Sequence, residues 1–293
     1  MNTEMTSPQR IDLRAPTMSV PLFVYEPRGE AHANLIILPA LGVPARFYSK
    51  LAEAASAAGF RAVLVEQRGH GESPIRPSRM SNWSFKEAVK EDLPAVIEWV
   101  RERDQTIPLY LSGHSLGGHY AAILAGLQPE AVDGIILIAC ASPYIEAFAG
   151  RTKLSLRFLH LAIPATALAL GVYPGDRIGF GGREARGVMA DWLSLSKTNR
   201  YGGRGLPKDI DERIADYHGS LLVLKMARDP FAPEAGVRAV VDKFTSARIA
   251  EKKLTETDIG DHADHFRWAK TPLATVRELL AFHEDVKMSR FEA

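Results

Sequence analysis

Apolar positions along this chain follow two alternating rhythms. Residues 19–26 alternate around Val20, Leu22 and Val24, the period-two pattern of an edge strand. Asn34-Leu-Ile-Ile-Leu38 and Arg61-Ala-Val-Leu-Val65 are continuous apolar runs, as expected of strands covered on both faces. Between them, Phe47, Leu51 and Ala55 recur at helical spacing over residues 45–58. A longer helix is predicted over 85–103, with Leu93, Val96, Ile97 and Val100 on one stripe. Strands follow at 108–112, 133–141, 221–224 and 247–254, and helices at 120–126, 233–244 and 272–286. Strands alternating with helices imply an α/β architecture with a mostly parallel sheet wound by right-handed crossovers.

The alternation breaks between about Ser142 and Tyr217. This segment holds an apolar stretch from Leu154 to Val172, a Gly/Pro loop (Gly171-Val-Tyr-Pro-Gly175 and Gly179-Phe-Gly-Gly182) and a second helix near Val188 to Leu195. It is too long for a simple connection. The predicted organisation is a core over residues 1–141, a helical lid over 142–217 inserted between core strands, and the rest of the core over 218–293. The stretch from 154 to 172 is nearly long enough to span a bilayer. Arg157, His160, Pro164 and Gly171 interrupt it, so it is expected to form one or two lid helices over a pocket, with no stable membrane insertion.

Composition narrows the function classes. At 293 residues, with 46% hydrophobic and 24% charged, the chain suits one large domain with an insertion or two small ones. A net charge of +1 without long basic or acidic runs does not imply a nucleic-acid or anionic-membrane partner. The single cysteine, Cys140, excludes an intrachain disulfide and any multi-cysteine metal site, and its apolar setting makes it a small core residue. Residues Met1 to Pro16 are polar and lack the apolar core of a secretory signal, which makes a reducing cytoplasm the expected location.

The chemistry concentrates in Leu111-Ser112-Gly113-His114-Ser115-Leu116-Gly117-Gly118. This is a G-x-S-x-G nucleophile elbow with Ser115 as the nucleophile. A strand-like run precedes it and a small-residue helix pattern follows, which is the context the motif requires. Gly113 and Gly117 have a steric reason, because a Cβ at either flank of the strained turn would meet neighbouring backbone.

An activated serine needs a base, and the base needs an acid to hold its tautomer. In this architecture the order is serine, acid, histidine. Asp229 is the acid candidate, just past the strand at 221–224 in Arg228-Asp-Pro-Phe-Ala232, although an Asp-Pro pair is also good turn chemistry. His262 is favoured as the base, being closer to the last strand's end and directly following Gly260-Asp261, with His265 as its competitor. His114 and His119 belong to the elbow and are not read as bases. The oxyanion donors are expected from the N–H of Leu116, at the elbow helix N-terminus, and of Leu41 in the Pro39-Ala-Leu-Gly42 loop.

Two other clusters carry less. His262-x-Asp264-His265 matches half of a dinuclear metal pattern whose first histidine would fall on Gly260, so no metal site is expected. Glu66-Gln-Arg-Gly-His-Gly-Glu-Ser73 lacks the spacing and lysine of a phosphate loop and is read as a structural turn whose Arg68 ties loops together.

Ser115, Asp229, His262 and the turn from Glu66 to Ser73 together resemble the α/β-hydrolase superfamily. Gly42-Val-Pro-Ala-Arg-Phe-Tyr48, Glu91-Asp-Leu-Pro94, Tyr173-Pro-Gly175 and Asp229-Pro-Phe-Ala-Pro233 are similar to a bacterial branch labelled serine aminopeptidase-like or monoacylglycerol lipase-like. The resemblance covers nearly the whole chain beyond the N-terminal residues. There are departures. The family's His-Gly before the oxyanion loop is Pro39-Ala40, its usual Asp at the start of the turn is Glu66, and the Gly common two residues after the histidine is Asp264, a carboxylate able to perturb His262.

The resemblance implies a serine hydrolase of carboxylic esters or thioesters, working through an acyl-enzyme on Ser115 without metal or organic cofactor. The aliphatic lid suggests an apolar pocket with Leu159 and Ile163 among the substrate-binding residues, and a small hydrophobic ester or thioester as partner. The lid shows no acidic cluster to capture a peptide amino terminus, which disfavours an aminopeptidase. A homodimer packed through the lid is compatible with the resemblance. Two alternatives share the fold, since fold does not fix chemistry. One is an acyltransferase or non-hydrolytic enzyme; the other is a non-catalytic ligand-binding protein, which would have no need of all three polar residues.

Overall fold

A computed structural model of the chain describes residues 7–291; Met1–Thr6, the start of the polar stretch read for a secretory signal, lie outside them. In chain order the first half contains β1 (Gln9–Arg14), β2 (Ser19–Tyr25), β3 (Ala33–Leu38), α1 (Ser49–Ala57), β4 (Phe60–Val65), α2 (Phe85–Glu87), α3 (Leu93–Arg103), β5 (Leu109–His114), α4 (Leu116–Leu127) and β6 (Gly134–Ile138). Then come α5 (Gly150–Leu170), β7 (Val172–Pro174), α6 (Gly175–Ile178), β8 (Arg183–Ala185), α7 (Arg186–Thr198) and α8 (Ile210–Ala215). The chain ends with β9 (Ser220–Met226), α9 (Glu234–Val241), β10 (Arg248–Leu254), α10 (Glu256–Ile259) and α11 (Leu273–Phe291).

Eight strands form one sheet in the order β1-β2-β4-β3-β5-β6-β9-β10. β1 and β2 enter antiparallel, and every pairing from β4 to β10 is parallel. All six residues of both β3 and β5 are buried, which is why these strands read as unbroken apolar runs rather than alternations. Each fully buried Leu or Ile there contributes about 1.5–3 kcal/mol by leaving water. The chain winds one way from β3 to β4 and the other way from β5 to β6. The crevice above the carboxyl ends of β3 and β5 is therefore the topological switch point, where open α/β sheets bind ligands.

The helix predicted over 85–103 contains a π turn at Ala88–Asp92 between α2 and α3. Within that turn Asp92 takes a bidentate pair of 2.7 Å hydrogen bonds from Arg68, which also reaches Glu91 and Thr17. Glu66, 2% exposed, accepts from Ala45 N–H and Glu72 N–H. The turn from Glu66 to Ser73 is thus a staple between loops. β1 has no counterpart in the sequence reading; its strand is polar and exposed on alternate residues, with only Ile11 and Leu13 facing inward.

The chain between β6 and β9 leaves the sheet. Its apolar stretch forms a single 21-residue helix, α5, closed by Gly171 at φ 74°. Pro164 lies within it on an exposed position and costs one backbone hydrogen bond without breaking the helix. By length and composition α5 could cross a bilayer, yet Leu156, Leu159 and Ile163 pack into the protein, whereas Leu154, Phe158, Leu161 and Leu168 are 59–85% exposed. β7 and β8 pair as a short antiparallel ribbon after α5.

Candidate active site

Ser115 follows β5 directly and precedes α4. Its backbone takes φ 51° and ψ −112°, a conformation that L-residues rarely adopt. The strain is held by tight packing. A Cβ on Gly113 would come within 2.2 Å of the Gly117 backbone, and one on Gly117 within 2.4 Å of the Leu38 carbonyl. The Ser115 N–H is fixed to the Ile138 carbonyl at 3.0 Å. The turn therefore lifts the hydroxyl above the sheet, with Leu116 at the first position of α4, whose N–H has no intrahelical partner.

Asp229 sits past the end of β9 with its side chain wholly buried. One oxygen accepts the N–H groups of Phe231 and Ala232 at 2.8 and 3.0 Å. The other accepts from His265 Nδ1 at 2.7 Å. The aspartate thus orients the turn around Pro230 and, at the same time, the imidazole.

The histidine that reaches Asp229 is His265, not His262, which corrects the sequence expectation. Proximity to the strand end misled because a helical turn intervenes. β10 ends at Leu254, α10 runs to Ile259, and Gly260 at φ 74° turns the chain away. His262 is left exposed beside Arg228, Glu256 and Asp261 on the outer surface. The loop re-enters at Ala263, which is fully buried and accepts the Arg228 N–H, and His265 two residues later points inward. Trp268 Nε1–H donates to the His265 carbonyl at 2.9 Å. The inward alternation of Ala263 and His265 with Trp268 beyond is the sequence signal that favours His265. Asp264 accepts the N–H groups of Phe266 and Arg267 and caps the next turn.

Ser115 and His265 line one cavity of about 190 Å³. Leu41 and Leu116 share its wall, and Leu156 and Leu159 of α5, Phe148, Phe180, Trp192, Phe231 and Phe266 give it an apolar lining. Ile163 is not part of it: one helical turn beyond Leu159 on α5, it lines a separate groove with Trp83, Pro164 and Asp191. His119, also on the cavity wall, is held by Tyr201 and the Ala141 carbonyl at 2.7 and 3.1 Å. Burial lowers its pKa to about 4, which makes it a weak proton acceptor, and both of its ring nitrogens are already engaged. Cys140 is buried, and burial raises its thiol pKa, leaving it an inert core group. Among the described residues no three His, Cys, Asp or Glu side chains cluster as metal ligands.

The inserted segment reaches this site at its loop 179–182. Gly42, at φ 75°, lies so close to it that a Cβ would fall 2.2 Å from Gly182 N. Glu184 in β8 accepts the Gly182 N–H and pairs with His70 of the core at 3.0 Å, both side chains being nearly inaccessible.

A serine on a strained strand–helix turn at the switch point of this sheet, sharing a cavity with a histidine bonded to a buried aspartate, defines an α/β-hydrolase. The sequence profile of the serine aminopeptidase S33 hydrolases matches residues 29–263, and the chain belongs to that family. It is similar to the monoacylglycerol lipase of Mycolicibacterium smegmatis, 24% identical over 77% of this chain and 80% of that protein. It is also similar to the monoglyceride lipase of Rattus norvegicus, 26% identical over 56% of this chain and 57% of that one. Among solved structures, the monoacylglycerol lipase of Paleococcus ferrophilus superposes with a TM-score of 0.62 at 17% identity, covering 91% of this chain and 100% of that one. A carboxyl esterase from Bacillus coagulans superposes with a TM-score of 0.62 at 14% identity, covering 85% of this chain and 90% of that one. This protein is an esterase- and lipase-like member of the α/β-hydrolases.

Proposed function

We propose that this protein hydrolyses carboxylic esters or thioesters of a small or acyl-bearing hydrophobic substrate through an acyl-enzyme on Ser115. The observation that carries the reading is the 2.7 Å bond from His265 Nδ1 to buried Asp229, with His265 and strained Ser115 on the wall of one apolar cavity. With Nδ1–H given to Asp229, His265 keeps Nε2 free of a proton to receive the one on Ser115 Oγ. The Ser115 oxygen attacks the substrate carbonyl, and the N–H groups of Leu116 and Leu41 hold the resulting oxyanion. His265 returns the proton to the departing alcohol or thiol. It then takes a proton from water, whose oxygen bonds the acyl carbon, and gives that proton to Ser115 Oγ as the Oγ–carbon bond breaks and the acid leaves. Asp229 stabilises the imidazolium in both steps. Residues 142–217 act as the lid, with Leu156 and Leu159 meeting the acyl group, and the apolar lining supports a hydrophobic substrate.

The test is intact-mass labelling with a fluorophosphonate, alongside a p-nitrophenyl ester chain-length series. Wild type is expected to gain one adduct, while Ser115→Ala and His265→Ala gain none and lose at least ~10³-fold in ester turnover. A folded wild type that takes no label and turns over no ester ends this reading.

A further inference from the structure

Beneath the cavity lies a set of buried polar groups with no part in the proton transfers between Ser115 and His265. Tyr48, on the turn before α1, is fully buried, and so is His114, the residue before Ser115. Tyr48 Oη receives the Ala40 N–H at 3.0 Å and lies 2.6 Å from His114 Nδ1. The phenol has one proton to give, and its oxygen already accepts from Ala40. The short contact is therefore Tyr48 O–H donating to His114 Nδ1, which places the His114 proton on Nε2. Burial, and then the nearby charge on His265 when protonated, hold His114 well below the usual histidine range, so it stays neutral as this pattern demands.

Both ends of this chain of contacts reach the reacting groups. At one end, Ala40 precedes Leu41. The Ala40 N–H is taken by Tyr48, and its carbonyl accepts the Val43 N–H at 3.1 Å. The Leu41 N–H lies in the same rigid peptide plane as that carbonyl, so fixing both Ala40 groups fixes where the Leu41 N–H points. At the other end, the His114 ring lies 4.7 Å from that of His265, and Trp268 closes against His114 at 5.3 Å while holding the His265 carbonyl. His114 Nε2 is buried without a hydrogen bond of normal geometry, and the His265 carbonyl is its nearest electrostatic support. A buried donor left so poorly satisfied is costly, and its position under the base gives it a use.

We propose that Tyr48 and His114 are positioning residues: a buried relay from Ala40 N–H through Tyr48 Oη–H to His114 Nδ1 that sets the Leu41 oxyanion donor and props the loop carrying His265. The inference rests on the hydrolase reading. It separates these two residues from ordinary core packing, because it ties them to the transition state rather than to stability alone.

The experiment compares Tyr48→Phe, His114→Asn and His114→Leu with wild type on the best p-nitrophenyl ester. Tyr48→Phe strands the Ala40 N–H and is expected to lower kcat about 10- to 100-fold with KM within about 3-fold, since a misaimed oxyanion donor loses part of the ~10²–10³ that such a donor supplies. An amide at position 114 keeps an acceptor where Nδ1 stands, so His114→Asn is expected to stay within about 5-fold of wild type, and His114→Leu to fall as Tyr48→Phe does. Nitrogen-15 spectra of histidine-labelled wild type supply a readout that does not depend on any variant folding. They should show His114 neutral with its proton on Nε2; a proton on Nδ1 overturns the relay. Wild-type kcat in folded Tyr48→Phe, or equal loss in the two His114 variants, also overturns it. If wild type itself takes no fluorophosphonate, the hydrolase reading fails and the relay with it. Normal labelling with unaffected variants removes the relay alone.

Discussion

His265 Nδ1 and Asp229 Oδ2 stand 2.7 Å apart, with the aspartate side chain sealed from solvent. Three residues upstream, His262 is on the outer surface. Substitution separates the two histidines. His265→Ala is expected to lose at least ~10³-fold in kcat, and Asp229→Asn about 10⁴-fold through the wrong tautomer, whereas His262→Ala stays within about 2-fold. Steady-state ester kinetics on the three variants check this. Equal loss in the two histidine variants removes the assignment of the base.

The elbow glycines are steric requirements. Gly117→Ala drives a methyl to within 2.4 Å of the Leu38 carbonyl, a backbone atom that cannot step aside cheaply. A destabilisation of about 1–3 kcal/mol is expected, the range for overpacking a tight interior. Ester turnover should fall as well, because Ser115 and Leu116 move with the displaced turn. Urea melts and kcat measured on the same preparation read both effects; a variant as stable and active as wild type shows that the turn has slack.

Trp192 and Phe180 form one aromatic wall of the cavity. Trp192 of α7 packs on Phe180 with ring centroids 5.1 Å apart, and both line the Ser115 cavity. Its neighbour Asp191 lines the larger groove beyond, with Ile163. Trp192→Ala is expected to move the p-nitrophenyl ester optimum toward longer acyl chains by about two or more carbons, the removed indole leaving room for them. An unchanged optimum places the acyl chain elsewhere.

The anchor between His70 and Glu184 predicts a pH dependence. Burial by itself lowers the His70 pKa, but the hydrogen bond and charge of Glu184 outweigh it and leave His70 above its ordinary value. His70 therefore binds its proton more tightly folded than unfolded. The stability this contributes is fully present below about pH 6.5 and fades as pH rises through the raised folded value. Thermal melts from pH 5.5 to 8.5 should show wild type losing ground to His70→Gln as the pH rises. Parallel curves for the two proteins contradict the anchor's titration.

The sequence displays what depends on local pattern. Buried parallel strands such as β3 and β5 announce themselves as apolar runs, and Ser115 is legible because its turn demands glycine on both sides. Cys140 and the stapling role of Arg68 follow from the same local reading. What the sequence hides depends on where the chain goes between elements. His262 and His265 differ by three residues, and only the helical turn of α10, with Gly260 reversing the chain, decides which faces inward. Ile163 lies one helical turn from Leu159 on the same stripe of α5, yet the stripe passes over two hollows rather than one. Pro164, which interrupts the apolar run, sits on the exposed side of α5, and the helix continues through it. β1 escapes notice because a half-exposed edge strand carries only two apolar residues.

The N–H of Ser115 is tied to the Ile138 carbonyl of β6, so Ser115 is anchored to the middle of the sheet. The residues that would meet an acyl chain instead hang from helices outside it. Side chains of α5 and α7 that face the cavity are thus free to vary without moving the Ser115 turn. That freedom stops at Gly42, where the inserted loop touches the sheet's own loop with no room for even a methyl group.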